Sequence, residues 1–208
     1  MKDLAQNLKG DWINTVKQLF DDTTTKAGKN KKYLKNGRQR GWASLPDCFY
    51  IYLLIRYYRP KVIVEVGTLT GTVTNIMLQG MLDSGYIGKI YTCDKNDVFD
   101  YWGKKKHSMV SYYNMLSSEM LDILIKHNIK IDFCFYDAII KKYDREKLLK
   151  LYRGRPVFAT HDFKGNQKGD HNIEKMNKKI KGKIVVPEQF EIENTKINSS
   201  VAVIEGLI

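Results

Sequence analysis

The run Val62-Ile63-Val64-Glu65-Val66-Gly67-Thr68-Leu69-Thr70-Gly71 constrains the fold more than any other stretch of the chain. Its β-branched residues are too few for a typical helix, and a carboxylate and two glycines separated by three residues follow at once. This pattern predicts a buried strand that ends in a tight turn and opens a helix. Glycine permits positive φ and the close backbone approach that a side chain would block. A ligand can then sit against the turn and the helix N-terminus, with Glu65 directed at it from near the strand end. The spacing is not the Gly-x-Gly-x-x-Gly of dinucleotide-binding turns, whose glycines make room for a pyrophosphate.

Further strands are expected at Lys89 to Cys93, Ser108 to Tyr113, Ile131 to Tyr136 and Pro156 to Thr160. Helices are expected at Ser44 to Tyr58, Thr72 to Leu82, Ser117 to His127, Asp144 to Tyr152 and Ile173 to Ile180, with a short one within Asp97 to His107. Ser44 serves as an N-cap with Pro46 in the first turn, and Arg59-Pro60 stops that helix. Lys183 to Val186, extending towards Phe190, and Ser200 to Glu205 read as a terminal hairpin. Strands alternating with helices predict an α/β fold: a doubly wound, mostly parallel seven-stranded sheet with an antiparallel C-terminal hairpin.

Residues 1–43 stand apart from this pattern. Leu4, Leu8, Trp12, Val16 and Leu19/Phe20 predict one amphipathic helix over Lys2 to Phe20. Asp21 to Arg40 carries Lys26, Lys29, Lys31, Lys32, Lys35, Arg38 and Arg40 and few large apolar residues, so it reads as a basic loop that could act as a lid. The division is therefore an N-terminal helix and loop, 1–43, ahead of one domain, 44–208. A 208-residue chain suits one sizeable α/β domain, and 43% apolar residues argue against general disorder. No apolar run is long enough to span a bilayer, and the N-terminus lacks the apolar core of a signal peptide. Cys48, Cys93 and Cys134 have no metal-ligand spacing and read as reduced thiols of a cytoplasmic protein. The formal charge of +12 points to nucleic acid, anionic lipid or an acidic substrate, or reflects only solvated lysines.

In open α/β sheets ligands gather beyond the C-terminal ends of the strands, so polar residues placed there are the ones to weigh. Asp94 ends the second strand, where a carboxylate can accept two hydrogen bonds from ribose hydroxyls or cap its own turn. Asp137 ends the fourth strand and His161-Asp162 the fifth. Asp137 can face a bound cofactor, hold a cation or take a proton. An imidazole near its ordinary pKa of about 6.5 is a natural general base.

The Glu-x-Gly-x-x-x-Gly turn, with Tyr91-Thr92-Cys93-Asp94, Asp137 and Ala159-Thr160-His161-Asp162, resembles the class I S-adenosylmethionine-dependent methyltransferases. It is most similar to the small O-methyltransferases of the catechol, caffeoyl-CoA and antibiotic-sugar type. The resemblance implies that Glu65, Gly67, Thr68, Gly71, Asp94, Leu116, Ser117 and Asp137 bind S-adenosylmethionine, with Asn114 to Leu121 lining the adenine pocket. It implies methyl transfer to a hydroxyl of a small-molecule acceptor, with Asp137, His161 and Lys141 as catalytic residues. In metal-dependent members Mg²⁺ is held by aspartates matching Asp137 and Asp162, while Phe163 stands in place of the third ligand. Lys141 falls one position later than the lysine common in these enzymes.

Two other readings compete. RNA 2′-O-methyltransferases use a Lys-Asp-Lys-Glu tetrad, and Asp137 and Glu205 fall at suitable positions. However, Ala159-Thr160-His161-Asp162 stands where the fifth-strand lysine belongs. A catalytically inactive methyltransferase-fold module that binds a partner through Lys26 to Arg40 is the non-enzymatic alternative.

Overall fold

The computed structural model describes residues 1–8, 10–28, 34–35, 38–39, 43–96, 107–161, 168–186, 189–192, 195–197 and 199–206. Two helices open the chain, α1 (Lys2–Asn7) and α2 (Trp12–Gly28), followed by the minimal hairpin β1 (Leu34–Lys35) and β2 (Arg38–Gln39). The alternating part comprises α3 (Leu45–Tyr58), β3 (Val62–Val66), α4 (Thr72–Asp83), β4 (Lys89–Asp94), β5 (Val110–Asn114), α5 (Ser117–Lys126), β6 (Ile131–Tyr136), α6 (Lys142–Leu151), β7 (Tyr152–Thr160) and α7 (Lys168–Ile180). Four short strands close it: β8 (Lys183–Val185), β9 (Phe190–Ile192), β10 (Thr195–Ile197) and β11 (Ala202–Glu205).

Seven strands form one sheet in the order β5-β4-β3-β6-β7-β11-β8. The first five are mutually parallel, and β11 runs antiparallel between β7 and β8. The expected doubly wound sheet is therefore present, antiparallel end included. Both faces are buried, as alternation along the strands requires. Phe133, Phe135, Ala159 and Val203 pack under α1 to α4, whereas Cys134, Tyr136, Phe158 and Ala202 pack under α5 to α7. From β3 the chain winds outward to β4 and β5, then returns to place β6 on the other side of β3. That reversal opens a crevice at the C-terminal ends of β3 and β6.

α3 shows how local chemistry positions the layers. The Ser44 Oγ accepts from the Asp47 backbone N–H, and Asp47 accepts from the Ser44 N–H at 2.9 Å, a reciprocal cap. Arg59 ends the helix in the left-handed region, with Pro60 behind it. Trp12 stacks on Tyr52 with ring centroids 5.5 Å apart and meets Phe49 edge-on, which pins α2 to α3.

Several expectations need correction. The helix foreseen over Lys2 to Phe20 breaks after Asn7, where Leu8 turns extended and Gly10 takes φ +88. Residues 21–28, foreseen as loop, continue α2. Buried Thr23 anchors that turn by donating to the Leu19 and Phe20 carbonyls and accepting from Thr72 Oγ1. The fifth parallel strand starts at Tyr152 rather than Pro156, with a register irregularity opposite Ile131/Phe133. Phe190 belongs not to an extension of β8 but to a separate hairpin with β10. The helix foreseen within Asp97 to His107 falls on 97–106, outside the described residues. Among the described residues no helix is long and apolar enough to cross a membrane.

Candidate active site

The glycine turn is built by contacts between strand ends. Gly67 leaves β3 at φ +96, and the Gly67 and Thr68 N–H groups both donate to the Cys93 carbonyl. The Asp137 N–H donates to the Val66 carbonyl at 2.8 Å. A Cβ on Gly67 would stand 3.0 Å from the Asp137 carbonyl oxygen, so the turn needs glycine for conformation and for space alike. Gly71, at φ +75, forms the N-cap of α4, and its N–H donates to the Thr68 carbonyl at 2.7 Å.

Beyond these strand ends lies a cavity of 320 Å³. Gly67, Asp94, Leu116, Ser117, Asp137 and Lys141 line it, so six residues singled out in the sequence converge there. Asp94 uses Oδ2 to accept from the Leu69 N–H at 2.9 Å and Oδ1 to accept from the Asn96 N–H at 2.9 Å. It thus caps its own turn and pins the glycine turn, and a carboxylate retains lone pairs for further donors. Leu116, Ile139 and Tyr143 form an apolar rim; they are 52%, 62% and 45% exposed. The Lys141 ammonium lies 5.9 Å from the Tyr143 ring centroid.

Glu65, Thr68 and Gly71 do not line the cavity. Glu65 shares the strand face of Ile63, which looks towards α4, and has no solvent exposure. Its Oε2 accepts from Thr74 Oγ1 and, at 2.5 Å, from Thr92 Oγ1, which also contacts Thr68 Oγ1. Burial pushes its pKa up to about 8, against the opposing pull of the Thr74 and Thr92 hydroxyls. It braces the turn from behind. Ser117 is likewise committed: its hydroxyl donates to buried Asp144 at 2.8 Å, which also accepts from Tyr136 OH at 2.7 Å.

His161 sits behind Asp137 rather than in the cavity wall and is 5% exposed. Its Nδ1 lies 3.5 Å from Asp137 Oδ1 and its Nε2 lies 3.1 Å from Asp47 Oδ2. Burial disfavours the imidazolium, but hydrogen bonds and charge from Asp137 and Asp47 outweigh it and raise the pKa to about 10. Burial alone would raise the Asp47 pKa, yet His161, Ser44 and Ser200 hold that carboxyl well below the usual range. Asp47 entered the sequence reading only as part of a helix start, since its His161 contact spans 114 positions. Asn172 also went unnoticed. It is fully buried, donates to the Ala138 carbonyl at 2.6 Å and accepts from the Ile140 N–H at 2.8 Å, so it fixes the loop after β6.

Magnesium requires oxygen donors in near-octahedral array. The His161 ring occupies the flank of Asp137. Among the described residues no group of three His, Cys, Asp or Glu side chains is placed to hold a metal ion. Asp162 and Phe163 lie outside the described residues. The described donors do not make up the cation site that the resemblance implies.

No protein-family model matches the chain, and no curated protein matches it. Solved structures do. The O-methyltransferase from Bacillus cereus in complex with SAH is 15% identical, with a TM-score of 0.64 over 97% of this chain and 93% of that one. The SAH-bound methyltransferase PaMTH1 of Podospora anserina is 13% identical, with a TM-score of 0.62 over 100% and 93%. The O-methyltransferase TomG of Streptomyces achromogenes, involved in tomaymycin synthesis and solved with SAM, is 14% identical, with a TM-score of 0.59 over 97% and 92%. At these identities the likeness is one of fold: the chain shares the Rossmann-like α/β architecture of these structures over nearly its whole length.

Proposed function

We propose that this chain is an S-adenosylmethionine-dependent O-methyltransferase acting on a hydroxyl of a small-molecule acceptor. The observation that carries the reading is one cavity at the switch point of the sheet, where the ends of β3, β4, β5 and β6 bring Gly67, Asp94, Leu116 and Asp137 together. S-adenosylmethionine, when bound, supplies a methyl group on a sulfonium, whose departure needs no covalent enzyme intermediate.

The chain's own part is binding, alignment and proton removal. Asp94 is suited to the ribose hydroxyls, and Leu116 with Ile139 to the two sides of the adenine ring. Asp137 with His161 behind it, and Lys141 at the rim, form the acceptor side. No step is routed through a metal ion. In this reading residues 1–43 are an extension of the 44–208 domain, with α2 packed on α3 and α4. A cytoplasmic, thiol-reducing setting belongs to the proposal, supported by Cys48, Cys93 and Cys134, which are all buried and free.

The RNA alternative loses support from β11. Ala202 pairs with Thr160 at the cavity end of β7, while Glu205 pairs with Val157 and is bound by Tyr58 OH. At about 3.3 Å per residue, Glu205 lies roughly 10 Å down the sheet from the strand ends where Asp137 stands. Incubating the full chain with S-adenosylmethionine and separate pools of phenolic, sugar and RNA hydroxyl acceptors tests the choice. A mass gain of one methyl group in a small-molecule pool is expected; methylation of RNA alone would contradict it.

A further inference from the structure

Asp47 sits in the first turn of α3 and does not line the cavity, yet it is 2% exposed and its two oxygens face different partners. Oδ1 accepts from the Ser200 N–H at 2.6 Å, from Ser199 Oγ at 2.8 Å and from Ser200 Oγ at 3.2 Å, where the chain enters β11. Oδ2 accepts from the Ser44 N–H at 2.9 Å and from Ser44 Oγ at 2.5 Å, and faces His161 Nε2 at 3.1 Å. Helix capping accounts for the Ser44 contacts alone. The remainder ties Asp47 to residues 161 and 199–200, and what these contacts determine is the orientation of one imidazole. The opposite edge of that imidazole meets Asp137, and of Asp47, His161 and Asp137 only Asp137 lines the cavity.

We propose that Asp47 is a positioning residue of the acceptor site. It holds His161 by Nε2 so that the Nδ1 edge steadies Asp137, and Asp137 is the group that meets the acceptor hydroxyl. The proposal rests on the methyl-transfer reading of the cavity. The acceptor O–H bond breaks as the new O–CH3 bond forms, and the sulfur–methyl bond breaks with its electron pair left on sulfur. The proton passes to Asp137 and leaves through the open cavity, so no oxidant, reductant or further reactant is needed. His161 acts on Asp137 from behind and does not touch the acceptor.

The test uses the full chain labelled with ¹⁵N-histidine, which has four histidines, and the His161 ring resonances are identified by their loss in His161→Gln. Asp47→Asn keeps the volume and one carbonyl oxygen for Ser199 and Ser200 but alters what faces Nε2. Ser44→Ala removes the cap and leaves the Asp47–His161 contact in place. In Asp47→Asn the Nε2 resonance is expected to shift or broaden. Turnover with catechol as probe acceptor is expected to fall ~10-fold or more, with KM for S-adenosylmethionine within about twofold of wild type. Ser44→Ala is expected to lower the melting temperature and keep both the His161 resonances and kcat. His161 resonances and turnover unchanged in Asp47→Asn would overturn the proposal, as would equal changes in Ser44→Ala. SAH calorimetry on the wild type separates the two levels: absent binding refutes the methyl-transfer reading, whereas the His161 resonances report on Asp47 itself.

Discussion

Glu65 shows how a single side chain can brace a glycine turn without lining the cavity beside it. Its carboxyl is buried against α4 by strand alternation, and two threonine hydroxyls converge on one of its oxygens. The folded-state pKa of about 8 exceeds the ordinary 4.5, so the folded chain binds more protons than the unfolded chain between those values. The group's contribution to stability is therefore complete below pH 4.5 and is lost as pH rises through about 8. Urea denaturation from pH 5 to pH 8 is expected to show wild-type stability falling by roughly 2–5 kcal/mol relative to Glu65→Gln. Parallel pH profiles would contradict the assignment. Gly67, Asp94 and Asp137 were legible from the sequence because strand ends and glycine spacing are local signals. The facing direction of Glu65 and the Asp47–His161 contact were not, since each depends on which helix or distant segment covers it.

At the scale of elements, the N-terminal helices are part of the core. Trp12, Ile13 and Val16 pack with α3 and α4, and the Thr23 hydroxyl accepts from Thr72 in the first turn of α4. Trp12→Ala removes a ring stacked on Tyr52 and edge-on to Phe49, and is expected to cost ~3–5 kcal/mol in urea denaturation. A cost below about 1 kcal/mol would mean that α2 is dispensable to the fold. The apolar period of α2 was readable as far as Phe20. Its last turns were not, because the polar run Asp21-Asp22-Thr23-Thr24-Thr25-Lys26 shows no apolar periodicity, and burial of Thr23 is a tertiary fact. The β9–β10 hairpin was missed for a similar reason: three-residue strands carry too little alternation to stand out.

For the whole molecule, seven strands in the order β5-β4-β3-β6-β7-β11-β8 put one crevice at the switch point, and the cavity occupies it. That architecture was legible because alternating strands and helices admit few topologies. The acceptor was not, because its pocket depends on segments with no recognisable pattern. The charge of +12 describes the surface at large and leaves the chemistry of the site open. The cavity is proposed to hold an adenosyl cofactor with Asp94 on its ribose. Calorimetric titration of the full chain with SAH tests it most directly, with NAD as the control ligand and Asp94→Ala as the variant. SAH is expected to bind one-to-one, NAD not to bind, and Asp94→Ala to weaken SAH affinity ~10–100-fold. Absent SAH binding by the wild type, or equal affinity in Asp94→Ala, would contradict it.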